Sequence, residues 1–254
     1  MVHLSEGMVT VRTALRYVLV LALSSLVLTT GPTASAGVPT SSVTQVSPAA
    51  GVVVGVAHPV DITFATPFNR RAIEGSIRVV EPKGATGQLD WVTDSTVRFT
   101  PDEFWPAHST VRLSVGNTPL SFNTGAAVVG VADISAHTFD VTVDGELARE
   151  MPASMGKSGF STPVGTFTAL AKERDVVMDS RTIGIPLDSS EGYLLDVNYA
   201  VRVTWGGVYV HSAPWSVASQ GYENVSHGCI NLSPDNAAWY YDMVSVGDPI
   251  IINS

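Results

Sequence analysis

From Val46 to Phe122 no apolar pattern outlasts a handful of residues. Pro59–Phe64, Ser76–Val80, Gly87–Val92, Thr96–Thr100 and Thr110–Gly116 are short runs rich in alternating apolar and polar positions, cut off by glycine, proline, asparagine or aspartate. Alternation places successive side chains on opposite faces of a pleated strand, and the spacing of the turn residues leaves no length for an amphipathic helix. Strands this short must pair with one another, which implies a small antiparallel β-sandwich over residues 46–122. The segment has no cysteine and no cluster of histidines and carboxylates. His58 and His108 stand singly near turn prolines and are expected at the surface, so the unit reads as a spacer.

Upstream, Arg12 and Arg16 precede an apolar run from Tyr17 to Leu28, a Gly31-Pro32 break and Ala34-Ser35-Ala36. This is the pattern of a secretory signal peptide over residues 1–36, cut after Ala36. The run is 12 residues long, short of the ~18 needed to cross a bilayer. The expected location is the periplasm or cell wall, with membrane association if the leader is retained. Residues 37–45 are small and polar and read as a linker.

Beyond Asn123-Thr124-Gly125, residues 126–254 form a second β-rich unit. Two or three strands with a tight turn at Asp144-Gly145 open it, and a turn at Thr162–Gly165 leads into a strand from Thr166 to Leu170. A polar insertion from Asp179 to Gly192 follows, with glycines placed to act as hinges. A hairpin over 201–211 then turns at Gly206-Gly207 and ends on His211. Ser233 as N-cap with Pro234 in the first turn starts a short helix, and the chain closes on a strand at Ile250–Asn253. The whole is therefore mainly β, with one short helix after the cysteine. Gly156-Lys157-Ser158 imitates the end of a phosphate-binding loop, but Met151 stands where that loop needs glycine.

Net charge is −9, and it is concentrated: residues 126–254 carry six basic and fifteen acidic side chains. A nucleic-acid binder needs a basic face, so that class is excluded. The acidic surface keeps the unit soluble and is suited to a partner with free amines.

Cys229 is the only cysteine of the chain. In an oxidising compartment a lone thiol cannot pair within its own chain, so a chemical role is indicated. A thiolate attacks carbonyl carbon only when a partner takes the proton, and histidine is suited to take it and return it to a leaving amine. His211 and His227 both lie in the stretch 211–231. His227 is two residues from the thiol and depends on a loop conformation; His211 arrives through the fold and is the favoured base. In Ser226-His227-Gly228-Cys229 the glycine permits a tight turn, so that the N–H groups of His227, Gly228 and Cys229 are candidates for an oxyanion hole. Zinc is disfavoured, since no second cysteine pair or helical HExxH motif accompanies these residues, and no cofactor is implied.

The run Ser226–Asn231, with fourteen residues between His211 and Ser226, resembles the signature of L,D-transpeptidases of the YkuD type. The resemblance extends over residues 126–253 through Thr162–Gly165, Val176–Ser180, Gly192–Leu195 and Val210–Trp215, and the sandwich is similar to the immunoglobulin-like domain of mycobacterial members. It implies Cys229 as nucleophile on a peptidoglycan tetrapeptide stem, loss of D-alanine, and attack on the thioester by a diaminopimelate amine of a second stem, giving a 3→3 link. It implies His211 as acid and base, oriented by the backbone carbonyl of Ser212. It further implies substrate contacts from Tyr193, Gly206, Gly207 and Asn231, a pocket wall from Met178 and Trp215, and a lid at 179–192. Carbapenem sensitivity is implied too. The alternatives are an L,D-carboxypeptidase, with water as acceptor, and a non-catalytic wall-binding protein.

Overall fold

The computed structural model describes residues 43–65 and 69–254. The leader, and the linker as far as residue 42, lie outside them. Among the described residues no helix is long and apolar enough to cross a membrane.

The first unit comprises β1 (Val43–Ser47), β2 (Val53–Val54), β3 (Val60–Phe64), α1 (Arg70–Glu74), β4 (Ile77–Glu81), β5 (Gly87–Trp91), β6 (Thr96–Pro101), β7 (Thr110–Val115) and β8 (Thr118–Thr124). They form two four-stranded sheets, ordered β1-β3-β6-β5 and β2-β8-β7-β4. The inward positions of β3, β6 and β7 supply the core: Val60, Ile62, Val97 and Val111 are fully buried. Each such side chain contributes about 2 kcal/mol of burial. Trp105 plugs the sandwich, stacked on Phe99 at 6.0 Å and edge-on to Phe122 at 5.9 Å, with its indole N–H donating to the carbonyl of His58. Two boundaries shift relative to the sequence reading. Residues 43–45, taken as linker, belong to β1, and β8 runs past Phe122 to Thr124, because both segments find backbone partners in the sheets.

The second unit contains β9 (Val128–Asp133), β10 (Thr138–Val143), β11 (Glu146–Pro152), β12 (Gly165–Thr168), β13 (Ala171–Asp179), β14 (Leu194–Arg202), β15 (Tyr209–Ser212), β16 (Ile230–Leu232), α2 (Pro234–Met243) and β17 (Pro249–Asn253). One sheet has the order β11-β10-β9-β17-β12, the other β13-β14-β15-β16. The β10–β11 turn holds Asp144 at φ 51° and Gly145 at φ 88°, as a two-residue hairpin of this twist requires. Ser233 caps α2 by accepting the Asn236 N–H. The helix seals the space between the sheets through Tyr240, edge-on to Phe139 at 4.8 Å. The strand expected over 166–170 stops at Thr168, where Ala169 leaves it to pair its N–H with the Asp248 carbonyl.

The sandwich is more than a spacer. Gly55 and Ala57 donate backbone N–H groups to the carbonyls of Val246 and Gly247, and the Val56 N–H reaches the Asp248 carboxylate at 3.3 Å. The backbones approach so closely that a Cβ on Gly55 would lie 2.0 Å from the Asp248 nitrogen. His58, expected at the surface, is instead half-buried against Gly247. His108 is exposed and pairs with Asp144 at 2.8 Å. Sequence spacing shows none of this, because these residues are separated by far more chain than local patterns span.

Candidate active site

β15 and β16 run parallel, with His211 opposite Asn231. Cys229 immediately precedes β16, two residues before Asn231, so alternation puts the thiol and the asparagine on one face, diagonal to the imidazole. The three side chains open into one cleft that communicates with solvent. Met178, Tyr193, Leu195, Trp215, Val225, Ser226 and His227 complete its wall. Met178 and Leu195 come from the paired strands β13 and β14, where they are directly opposite one another.

His211 is 2% exposed. Its Nδ1 lies 2.8 Å from the Ser212 carbonyl oxygen. A carbonyl only accepts, so Nδ1 carries the hydrogen and Nε2 is the basic nitrogen. Burial pushes the His211 pKa down to about 4 against the opposing effect of that carbonyl, and pushes the Cys229 thiol up to about 11 against the Tyr209 backbone N–H. Among the described residues no hydrogen bond joins His211 to Cys229; the thiol instead faces the Gly207 carbonyl at 3.6 Å. The resting pair is therefore neutral thiol and neutral imidazole rather than an ion pair, and the proton must move as substrate is attacked.

His227 is differently committed. Its Nε2 lies 2.8 Å from Glu191 Oε2, and its ring sits edge-on to Phe160 at 4.6 Å and 5.0 Å from Tyr193. The contact commits Nε2 and holds the His227 ring through Glu191, whereas His211, on the strand paired with the one that follows Cys229, keeps Nε2 as its basic nitrogen and is the better placed base. The turn itself corrects the expectation of three oxyanion donors. Gly228, at φ 117°, gives its N–H to Ser226 Oγ at 3.0 Å, and Ser226 Oγ donates to the Cys229 carbonyl at 2.7 Å. The N–H groups of His227 and Cys229 have no acceptor among the described residues, so these two remain available to an oxyanion.

Asn231 is buried; its Nδ2 donates to Ser216 Oγ at 3.2 Å while Oδ1 has no partner. A buried acceptor without a donor costs about 1–3 kcal/mol, which a substrate N–H would recover. Trp215 is half-exposed, its ring 6.1 Å from that of His211. Burial, above all, raises the Tyr193 phenol above its ordinary range. Gly207 reaches the thiol through its carbonyl, whereas Gly206 lies in the exposed turn and is not brought to the cavity wall.

Four contributors carried no motif. Thr162 is buried: its hydroxyl donates to the Gly228 carbonyl at 3.0 Å and accepts the Gly156 N–H at 2.8 Å. Its only sequence signal was its place in the Thr162–Gly165 turn. Glu191, Lys157 and Phe160 meet at His227 from two separate loops. The Asn224-Val225-Ser226 sequon is structural, since Asn224 Oδ1 accepts the Met155 N–H and Nδ2 donates to the Ile134 carbonyl. The insertion after β13 is ordered by a 3-10 turn at Ser180–Ile183 and by Ser180, which is buried and exchanges hydrogen bonds with Tyr193 and Ile185. Gly192 is a close-approach position rather than a hinge, for a Cβ there would lie 2.5 Å from two carbonyl oxygens. No three His, Cys, Asp or Glu side chains among the described residues group so as to hold a metal ion.

The model of the YkuD L,D-transpeptidase catalytic domain matches residues 127–252, and that of a bacterial Ig domain matches residues 30–118. L,D-transpeptidase 1 of Mycobacterium tuberculosis is 63% identical over 213 residues, 84% of this chain and 85% of the relative. The chain belongs to the YkuD-type L,D-transpeptidase family. An L,D-transpeptidase from Mycobacterium smegmatis superposes with a TM-score of 0.81 at 70% identity, covering 84% of this chain and 99% of that one. An L,D-transpeptidase solved in complex with imipenem gives 0.78 at 63% identity, covering 83% and 98%. In this L,D-transpeptidase-family chain the cysteine, the buried histidine and the turn between them thus occupy a fold whose relatives carry that name.

Proposed function

We infer that the protein is a peptidoglycan L,D-transpeptidase that makes 3→3 cross-links through a cysteinyl thioester. The observation that carries this is the placement of Cys229 and His211 in one cavity with Nε2 of His211 as the basic nitrogen. Cys229 Sγ attacks the carbonyl carbon of diaminopimelate in a tetrapeptide stem as its proton passes to Nε2. The His227 and Cys229 N–H groups face the charge developing on the oxygen. Collapse returns the proton to the departing D-alanine amine and leaves the thioester. The side-chain amine of a second diaminopimelate then attacks, gives its proton to Nε2, and releases the cross-link and the thiol. Asn231 Oδ1 accepts a substrate N–H, and Tyr193, Trp215 and Met178 supply apolar wall.

The leader supports action outside the cytoplasmic membrane, in the periplasm or cell wall. A relative solved in complex with imipenem supports carbapenems as acylating inhibitors of Cys229. Mass spectrometry with a stem tetrapeptide and an acceptor stem tests the activity: the expected products are a Cys229-linked tripeptide adduct and a 3→3 dimer, both absent in Cys229→Ala. Tripeptide without dimer would identify a carboxypeptidase, and no adduct from either substrate or carbapenem would leave a wall-binding protein.

A further inference from the structure

The segment between β13 and β14 meets the nucleophile's turn through the Tyr193 ring and through one carboxylate. Glu191 Oε2 accepts from Lys157 Nζ at 2.5 Å and from His227 Nε2 at 2.8 Å. Lys157 is itself fixed to that turn, because its backbone N–H donates to the Ser226 carbonyl at 3.0 Å. The His227 ring is thereby boxed by Phe160, Tyr193 and the carboxylate, two residues from Cys229. We propose that Glu191 is a positioning residue: it latches the 180–192 segment to the Ser226–Cys229 turn and fixes the His227 ring, so that access to the thiol and alignment of the turn are controlled together. The donors from Lys157 and then His227 hold the Glu191 carboxyl below its ordinary range, in keeping with two charge-assisted contacts.

An ion pair that merely decorates a solvated surface contributes little and orders nothing. The latch differs in joining three segments that have no other ionic contact with one another among the described residues. The kinetic part of the test rests on the transpeptidase reading; the other two parts do not.

Full-length protein carrying Glu191→Ala or Glu191→Gln is compared with the unaltered chain. Amide exchange over 180–192 is expected to quicken about tenfold in Glu191→Ala, with several-fold faster alkylation of Cys229 by iodoacetamide. Glu191→Gln keeps an oxygen for both donors and is expected within about threefold of the unaltered chain by both measures. With stem tetrapeptide, kcat/KM falls about tenfold in Glu191→Ala and recovers in Glu191→Gln. Unchanged exchange and alkylation in Glu191→Ala would overturn the proposal, as would exchange rising equally through the sheets. Absence of turnover in the unaltered chain would count against the transpeptidase reading alone, with exchange and alkylation still deciding the latch.

Discussion

His211 donates its Nδ1 hydrogen to the Ser212 carbonyl at 2.8 Å, and this contact with the next residue sets the tautomer of the ring proposed as the base. In many cysteine and serine enzymes a carboxylate has that task. A neutral carbonyl orients the ring without adding a charge, so the imidazole remains a weak base until the thiol is committed to attack.

Loss of that base is expected to slow acylation severely. His211→Ala should lower the rate of thioester formation by about 10²–10⁴-fold, followed by mass spectrometry of the adduct. A variant within tenfold of the unaltered chain would move the role to another group.

The resting protonation states predict an unusual pH profile. With His211 titrating near 4 and the thiol near 11, iodoacetamide alkylation should be slow at neutral pH and climb steadily above pH 9. An inflection between pH 6 and 7 would instead reveal an ion pair between thiolate and imidazolium.

Asp248, buried at the junction of the two units, is pushed up to about 6 by burial, against hydrogen bonds from the Ser245 and Val56 N–H groups. Its folded pKa exceeds the unfolded value of 3.8, so between these limits the folded state holds the proton that the unfolded state has lost. Its contribution is full below about pH 4 and declines as pH rises to about 6, by about 3 kcal/mol in all. His211 has the opposite slope across the same window, because its folded pKa is depressed. Denaturant unfolding of the unaltered chain and Asp248→Asn at pH 4, 5, 6 and 7 isolates the Asp248 part: the stability difference should shrink with pH.

Gly55→Ala introduces a methyl group into the space occupied by the Asp248 backbone. Overpacking of this kind costs about 1–3 kcal/mol. The expected result is a lower melting temperature and faster proteolysis where the units meet, with the acylation rate of the intact fraction preserved.

Thr162→Val removes the hydroxyl that ties Gly156 to Gly228. The buried Gly228 carbonyl loses its donor, a penalty of about 1–3 kcal/mol, and the turn carrying the proposed oxyanion donors loosens. Acylation should slow about tenfold or more and recover in Thr162→Ser; equal rates for Val and Ser would assign Thr162 no part in shaping the turn.

Cys229, His211 and the turn glycine were legible in the chain because their signals are local: a lone thiol, a histidine ending a strand, a residue free of Cβ strain. The helix cap at Ser233 and the hairpin at Asp144-Gly145 were legible for the same reason. Each depends on residues within a few positions of one another, where backbone sterics and side-chain reach decide the outcome.

What the chain in one dimension does not contain is who meets whom across long separations. Parallel pairing of β15 with β16 brings His211 to Cys229. Burial, a property of the packed whole, neutralises both groups. The Glu191 contact commits Nε2 of His227, and Ser226 consumes the Gly228 N–H that the motif alone had counted as an oxyanion donor. The sandwich, a spacer by its composition, is joined to the catalytic unit at Gly55 and Asp248 because two backbones approach within a distance that only glycine allows. Residue types settled which chemistry was possible; long-range packing settled which atoms are left available for each part, because desolvation and hydrogen-bond partners exist only once distant segments touch.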